Sequence, residues 1–232
     1  MTSLLDNWAV IPATGIGQRM RADRPKQYLK LGDKTILEHT LDNLLSHPLV
    51  KGAVVIINKE DSLWTGLNYQ NSKPIVICHG GDSRHQSVYN GLVELHATLN
   101  QDAHVLIHDA VRPFVQHCDI DRLIEISQSC DDGAILAAPV TDTLKISDSN
   151  SVITGTQSRG GLWRALTPQA FRLSLIRQAL DRVIERGFEV TDDASAMELM
   201  GYHPRLIDSD VRNIKITQPQ DMELARSLFK QK

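Results

Sequence analysis

Short apolar runs alternate with amphipathic segments along most of the chain. The runs are continuous, which is typical of strands that other elements cover on both faces. They comprise residues 8–11, 53–57, 75–78, 104–107 and 134–138. Between them lie single apolar stripes at helical spacing, formed by Leu37, Leu41, Leu44 and Leu45 and by Val88, Leu92, Leu95 and Leu99. This alternation predicts βαβ units, and therefore an α/β fold with a mostly parallel twisted sheet flanked by helices.

Local signals set the expected ends of the other elements. Thr35 and Glu38 form a capping-box pattern at the start of the first helix, which Pro48 ends. Further helices are expected over residues 119–129, from Phe171 to Gly187, near 192–200 and after Pro219. Two more strands are expected near 205–207 and 213–216, whereas residues 58–73 are polar and ambiguous.

The rhythm of buried strands and helices is interrupted over about 140–165. Polar and apolar residues alternate from Val140 to Ile146, a Ser/Asn-rich turn follows, and an apolar stretch begins at Val152. This pattern is typical of a β-hairpin whose two faces contact solvent or another surface rather than the core. Since an isolated two-stranded hairpin is marginal in water, it needs a partner surface. We therefore expect one domain, residues 1–232, that carries a projecting arm.

Composition narrows the function classes. Of the 232 residues, 41% are hydrophobic and 23% are charged, as is usual for a soluble globular protein. The net charge of −3 gives no general attraction for nucleic acid, and no apolar stretch approaches the ~20 residues of a membrane span. The three cysteines are odd in number and lack C-x-x-C spacing, and the start shows no export signal. We expect a cytoplasmic protein without nucleic-acid or membrane partners.

The first apolar run ends in a glycine-bearing loop that is rich in cations. Gly15 and Gly17 permit a tight turn and a close approach to a phosphate. Four cations, Arg19, Arg21, Arg24 and Lys26, follow within eight residues and would repel one another unless an anion or solvent screens them. The loop has neither the Walker A pattern nor the third small residue of a dinucleotide fingerprint. The further signatures of a kinase are absent from the sequence. The loop is therefore predicted to bind a nucleoside triphosphate. The alternative is an ordinary strand–helix turn with solvated charges.

Two later turns also follow apolar runs. Gly80, Gly81 and Asp82 follow the third run, and Asp109 and Arg112 follow the fourth. Because parallel strands present their carboxyl ends at one edge of the sheet, the three turns can converge on one ligand.

Several candidate side chains also have a structural alternative. Asp82 could cap a helix, Asp109 could pair with Arg112, and Asp192 could cap the short helix near 192–200. His104 and His108 lie about 13 Å apart if both are on a strand, too far to share a metal ion, so they are expected to be structural. No G-x-S-x-G elbow supports a serine hydrolase.

Eight motifs occur in order over nearly the whole chain: PATGIGQRM, RPKQYL, GGDSRHQSV, HDAVRP, APVTDTLK, GLWRALTPQ, TDDASAMEL and NIKIT. Together they closely resemble the 2-C-methyl-D-erythritol 4-phosphate cytidylyltransferase family of the non-mevalonate isoprenoid pathway. The resemblance implies a Rossmann-like nucleotidyltransferase fold and a homodimer built through the hairpin arm. It also implies a Mg²⁺-dependent reaction in which CTP and methylerythritol phosphate give the cytidine diphosphate alcohol and pyrophosphate.

The resemblance also assigns site residues. Arg19 and Lys26 match the pair that stabilises the pentacoordinate α-phosphate. The positions that match CTP-binding residues are Ala13, Thr14, Gly15, Gly81, Asp82, Ser87 and Ala110. The positions that match acceptor-binding residues are Asp109, Arg112, Thr143, Arg159 and Lys215, with Arg159 expected from the partner subunit. Mg²⁺ is expected to bind mainly through the CTP phosphates, without an assigned protein ligand.

The sequence departs from the family's usual pattern at three positions. Thr14 and Val111 stand where the family usually has alanine, and Gln18 replaces a frequent arginine.

Two alternatives remain open at this point. Ribitol 5-phosphate cytidylyltransferases share the CTP loop and differ in the alcohol pocket. A non-catalytic nucleotide-binding module would be expected to lack Arg19, Lys26 or Lys215, and all three are present. The acceptor in either transferase reaction is already a phosphate anion, so fixed cations and backbone donors matter more than a general base.

Overall fold

The computed structural model describes residues 5–15, 18–20, 22–99 and 101–230. Its strands are β1 (Asn7–Pro12), β2 (Lys30–Leu31), β3 (Lys34–Thr35), β4 (Val50–Ile57), β5 (Ile75–His79), β6 (His104–Ile107), β7 (Ala134–Pro139), β8 (Leu144–Ser147), β9 (Ile153–Gln157), β10 (Trp163–Arg172) and β11 (Arg205–Asp208). Its helices are α1 (Ile36–Leu45), α2 (Leu63–Leu67), α3 (Arg84–Leu99), α4 (His117–Gln128), α5 (Leu173–Arg186), α6 (Asp193–Leu199) and α7 (Pro219–Phe229). Two short 3₁₀ helices cover Gln18–Met20 and Lys26–Tyr28.

A seven-stranded sheet with the order β11-β7-β10-β6-β1-β4-β5 forms the centre of the fold. All neighbouring strands run parallel except β10, which is antiparallel to both β6 and β7. The predicted α/β architecture with a mostly parallel sheet is therefore confirmed. The carboxyl ends of β1, β5 and β6 lie at the same edge of this sheet, because all three strands point the same way.

Helices cover both faces of the sheet. On one face, α1 and α4 bury apolar side chains such as Leu41 and Leu123. On the other, α3, α5 and α6 bury side chains such as Leu92, Ile176 and Met197. The central strands are buried on both sides, which explains why their sequences are continuous apolar runs.

Several predicted local features are present. Thr35 Oγ1 accepts a hydrogen bond from Glu38 N at 3.2 Å, and the Glu38 carboxylate accepts one from Thr35 N at 2.7 Å, so the capping box of α1 is confirmed. Asp192 caps α6 in the same reciprocal way with Ser195, which confirms the structural interpretation of Asp192 as a helix cap.

The long strand β10 and the two-residue strands β2 and β3 were not foreseen, and the helix expected from Phe171 begins later than predicted. Phe171 lies fully buried in β10, and α5 begins at Leu173. The helical stripe of α5 continues directly from a buried strand, so apolar spacing alone does not show where one ends and the other begins.

The prediction of a strand at 213–216 is also wrong. Ile214 N donates to Arg212 O at 2.7 Å in a tight turn. Ile216 N donates to the carbonyl oxygen of the loop residue Val111 at 3.0 Å. The backbone therefore bonds to turns rather than to a neighbouring strand. The ambiguous stretch 58–73 contains α2, whose first N–H groups, on Leu63 and Trp64, donate to Asp61.

The arm is an antiparallel hairpin of β8 and β9 that forms its own two-stranded sheet. Apolar residues at 146, 152 and 153 are exposed on it, with Ile153 at 63%. The hairpin lies within the predicted range of 140–165, and its role in dimerisation stays a prediction. Within the described ranges, no helix is both long enough and apolar enough to cross a membrane.

Candidate active site

The three turns seen in the sequence meet at one cavity of about 850 Å³ at the carboxyl edge of the sheet. The turn after β1 contributes Ala13, Thr14 and Gly15. The turn after β5 contributes residues 80–84, and the turn after β6 contributes residues 109–111. Lys26 and Lys215 line the same cavity. Loops that are far apart in sequence therefore form one cation-bearing pocket, as the direction of the strands requires.

The first two turns pack tightly against each other. A Cβ atom on Gly80 would lie 2.3 Å from Cγ2 of Thr14 and 2.6 Å from Oγ of Ser87, so a larger residue at position 80 would clash. Gly15 is different, because a Cβ atom there would meet no atom of the described residues within 4 Å. Gly17 and Arg21 lie outside the described residues, as does the side chain of Gln18.

Ser87 is buried and holds the second turn together from inside. Its Oγ accepts a hydrogen bond from Gly81 N at 3.1 Å and donates one to Ser83 O at 2.8 Å. The hydroxyl of Thr14 lies 3.4 Å from Ser87 Oγ, so the threonine at this position adds a contact that alanine would lack. Asp82 is exposed and does not serve as the helix cap, since Ser83 Oγ accepts from Gln86 N at the start of α3.

Asp109 is the charged centre of the other side of the cavity. Its Oδ2 lies 2.9 Å from Nε of Arg112 and 3.0 Å from Nζ of Lys215. Burial alone would raise the pKa of Asp109, but the charges of Lys215, Arg112 and Arg84 outweigh it and hold the pKa well below its usual range. Asp109 is therefore a fixed carboxylate at neutral pH. The predicted pairing with Arg112 is present and does not exclude ligand binding.

A chain of hydrogen bonds fixes the backbone at Asp109. Its N–H donates to Oγ1 of Thr167 at 3.1 Å, and that hydroxyl lies 3.0 Å from Nδ1 of His108. Nε2 of His108 lies 2.9 Å from the carbonyl oxygen of Arg112, an acceptor, so it carries the ring proton. Burial lowers the pKa of His108 to about 4, which agrees with a neutral ring of structural function.

Thr167 and Asn213 were missed as site residues. Asn213 Nδ2 donates to Thr167 O at 2.8 Å, and Asn213 O accepts from Arg112 Nη1 at 2.7 Å. Both residues lie inside motifs already singled out, ALTPQ and NIKIT. Those motifs were the only signal in the sequence, since the contacts join segments 46 and 101 residues apart.

The cations have different placements. Lys26 is half-buried, and burial, followed by the charge of Lys215, lowers its pKa. Arg19 is exposed on the 3₁₀ helix Gln18–Met20 and does not line the cavity, although its charge also acts on Lys26. Ala110 and Val111 are buried at the cavity wall, where Val111 packs into a cluster with Met20 and Phe114.

Two predicted site residues lie away from this cavity. Thr143 and Arg159 are exposed at the arm, and Arg159 Nη1 donates to the carbonyl oxygen of Thr141. Neither lines the cavity of its own chain. Among the side chains that the structure describes, no group of three His, Cys, Asp or Glu residues could hold a metal ion.

The mostly parallel sheet, the glycine-bearing turn after β1 and the cation-lined cavity at the carboxyl edge fit the nucleotidyltransferase class of enzymes. Residues 8–231 match the model of the family 2-C-methyl-D-erythritol 4-phosphate cytidylyltransferase. The chain belongs to that family.

Relatives and solved structures agree with this assignment. The chain is 47% identical to the 2-C-methyl-D-erythritol 4-phosphate cytidylyltransferase of Stenotrophomonas maltophilia K279a, over 93% of each chain. It is 48% identical to that of Pseudomonas putida W619, over 94% of each. A crystal structure of a 4-diphosphocytidyl-2C-methyl-D-erythritol synthase matches with a TM-score of 0.84 and 37% identity, covering 97% of this chain and 99% of that one. The Francisella tularensis cytidylyltransferase structure matches with a TM-score of 0.81 and 36% identity, covering 96% and 99%.

Proposed function

We propose that the protein transfers the cytidylyl group of CTP to 2-C-methyl-D-erythritol 4-phosphate and releases pyrophosphate, a step in non-mevalonate isoprenoid precursor synthesis. The observation that carries the proposal is the single cavity in which Lys26 and Lys215 meet the turns after β1, β5 and β6. Relatives that bear the name of this activity align over 93% of the chain, which supports the same assignment.

The turns after β1 and β5 form the CTP side of the proposed site. A nucleotide can approach the backbone of the turn after β1 closely, because Gly15 lines the cavity and carries no side chain. The residues assigned to CTP are Ala13, Thr14, Gly15, Gly81, Asp82, Ser87 and Ala110. Ser87 is buried beneath the cavity wall and has an indirect role, because its hydroxyl fixes the amide of Gly81.

In the proposed reaction, an oxygen of the acceptor phosphate attacks the α-phosphorus of CTP. A new P–O bond forms, the bond between the α- and β-phosphates breaks, and pyrophosphate leaves with the bonding electron pair. The attacking group is already an anion, so no side chain needs to remove a proton. Lys26 and Arg19 supply positive charge where negative charge grows in the transition state.

Mg²⁺ is the metal that we assign to the reaction, and when bound it neutralises charge on the triphosphate. We expect it to bind mainly through the phosphate oxygens of CTP, because the described residues include no group of three His, Cys, Asp or Glu side chains that could hold a metal ion.

Asp109 is the centre of the proposed acceptor side. Arg112 and Lys215 both contact its Oδ2, so its Oδ1 can accept a hydroxyl of the alcohol. Lys215 is only half-buried and can also face the acceptor phosphate.

Two acceptor contacts are proposed to come from a partner subunit. Thr143 and Arg159 lie on the exposed arm, and a homodimer that exchanges arms would cover its apolar residues and bring both side chains to the neighbouring cavity. The proposed compartment is the cytoplasm, where CTP is made and where the three free cysteines stay reduced.

A pyrophosphate-release assay tests the proposal. The purified protein is given Mg²⁺, one of four nucleoside triphosphates, and either methylerythritol phosphate, ribitol 5-phosphate or no acceptor. We expect rapid release only with CTP and methylerythritol phosphate. Faster release with ribitol 5-phosphate would assign the protein to that activity instead, and CTP binding without release would indicate a nucleotide-binding module.

A further inference from the structure

Arg84 and Asp193 form an ion pair at the wall of the cavity. Nη1 and Nη2 of Arg84 donate to Oδ1 and Oδ2 of Asp193 at 3.0 and 2.7 Å, in the two-pronged geometry that arginine makes with a carboxylate. Asp193 is only 1% exposed, whereas Arg84 lines the cavity. The two residues are 109 positions apart, and no sequence pattern connected them.

The location of Arg84 is unfavourable without this partner. Arg84 is the first residue of α3, and a cation at a helix amino terminus opposes the helix dipole. Other cations line the same cavity, among them Lys26 and Lys215. Asp193 is the first residue of α6, where a carboxylate is favoured. The carboxylate therefore compensates a charge that both the helix and the cavity would otherwise disfavour.

The arginine end of the pair belongs to the CTP side of the site. Arg84 directly follows the turn of residues 80–83, in which Ser87 Oγ accepts from Gly81 N and donates to Ser83 O. Arg84 therefore lies inside the segment that the hydrogen bond between Gly81 N and Ser87 Oγ closes.

The carboxylate end belongs to the acceptor side. Gln169 on β10 donates to Oδ2 of Asp192 at 2.8 Å and accepts from Ala194 N at 2.9 Å, which fixes the start of α6. Gln169 pairs in the sheet with Ile107, two residues before Asp109. The position of Asp193 is thus tied to the frame that holds Asp109.

We propose that the Arg84–Asp193 pair is a positioning device that sets the distance between the CTP turn of residues 80–87 and the acceptor frame around Asp109. Neither side chain needs to touch the reacting atoms. The pair acts through Gly81 and Ser87 on one side and through Gln169 on the other. Its kinetic consequence rests on the proposed function, whereas its effect on the two backbone segments does not.

The test uses Arg84→Lys, which keeps the charge and removes the fork, together with Asp193→Asn and the double variant. Arg172→Lys is the matched control, because Arg172 pairs with Asp102 at 2.6 Å at the start of β6, the end opposite to Asp109. Hydrogen exchange measured by mass spectrometry reports on the backbone without any substrate. We expect faster exchange at 80–87 and 192–196 in Arg84→Lys, and unchanged exchange there in Arg172→Lys. Unchanged exchange at both segments in Arg84→Lys would overturn the proposal.

Turnover gives the second readout. For the folded fraction of Arg84→Lys, measured by circular dichroism, kcat should fall about ten- to a hundredfold, as for reactants misplaced by a fraction of an ångström, while the KM for the acceptor changes less than about twofold. The double variant should be no slower than the slower single variant, because the two residues act as one unit. Wild-type kcat per folded molecule in Arg84→Lys, or losses that multiply in the double variant, would contradict the inference. An inactive wild-type protein would instead refute the proposed function, and the exchange experiment would still decide on the pair.

Discussion

At the residue scale, Lys26 shows how the site holds several positive charges close together. It is half-buried, and burial is the largest cause of its lowered pKa. The charges of Lys215 and Arg19 lower this pKa further, whereas Asp109 and Asp221 act in the opposite direction. Like charges held near one another in a partly desolvated place destabilise the empty protein. A phosphate anion among them would remove that repulsion. The arrangement is therefore better explained by an anionic ligand than by stability.

Replacing Lys26 with Ala should reduce kcat by about 10²–10³-fold, or roughly 3–4 kcal/mol of transition-state stabilisation. The melting temperature should change little, because the loss of a half-buried side chain is offset by the loss of repulsion from Lys215 and Arg19. Steady-state kinetics and thermal unfolding measure the two effects, and Arg19→Ala should behave in the same way. Lys30→Ala, an exposed lysine on β2, is the control and should keep both values. A Lys26→Ala protein that melts early but keeps its kcat would show that the side chain is structural.

Buried histidines give the protein a pH dependence of stability. Burial lowers the pKa of both His104 and His108 to about 4, and it lowers that of His47 as well. Between this value and the ordinary value of about 6.5, the unfolded chain binds more protons than the folded one. The free energy of unfolding should therefore fall as the pH is lowered from about 6.5 to about 4.

Urea unfolding at several pH values measures this dependence. Each such histidine contributes a slope of up to about 1.4 kcal/mol per pH unit. His104→Gln should reduce the slope relative to the wild-type protein. An unchanged slope in His104→Gln would contradict the account of this side chain.

At this scale the sequence could indicate most of the pocket's residues, because its motifs lie at strand ends. It could not indicate the partners of those residues. Thr167 supports the amide of Asp109 across 58 positions, and Asp193 holds Arg84 across 109. Such contacts depend on how the strands are ordered in the sheet, and a one-dimensional pattern does not contain that order.

At the scale of elements, local rules worked where local forces dominate. The buried strands and the capping box of α1 follow from apolar runs and from a Thr-x-x-Glu pattern. The antiparallel strand β10 was missed, because its residues lead without a break into the stripe of α5. Segment 213–216 was predicted to be a strand, yet its N–H groups bond to turns. Tertiary contacts decided both cases.

The cap of α1 provides a prediction for an element. Thr35→Ala removes an oxygen that accepts from Glu38 N, and this should cost about 1 kcal/mol of unfolding free energy. Ser62→Ala is the matched control, because Ser62 stands at the N-cap of α2 but its side chain makes no capping hydrogen bond. Denaturant unfolding should show a smaller loss for the control. Equal losses in the two variants would mean that the hydrogen bond of Thr35 contributes nothing particular.

At the scale of the whole molecule, the arm is the feature that one chain does not explain. A two-stranded hairpin is marginal by itself, and this one exposes Ile146, Val152 and Ile153. Thr143 and Arg159 lie on or beside it, away from the cavity of their own chain. Exchange of arms about a two-fold axis would explain both observations.

Mixing two inactive variants tests whether the active site is shared. In a heterodimer of Lys26→Ala and Arg159→Ala, sharing places both lesions in one site and none in the other. Random pairing makes about half of the dimers mixed, so roughly a quarter of all sites should regain activity. Tagged subunits confirm that exchange has occurred. If exchange is complete and activity stays absent, Arg159 serves its own subunit and the shared site is refuted.

The transfer itself is tested most directly by following the α-phosphorus of CTP. The wild-type protein is given Mg²⁺, methylerythritol phosphate and CTP labelled at that atom. We predict that the label appears in the cytidine diphosphate alcohol and not in pyrophosphate, that it requires the acceptor, and that Lys26→Ala greatly slows its appearance. Label that stays in CTP, although CTP binds, would contradict the central claim that this cavity catalyses cytidylyl transfer.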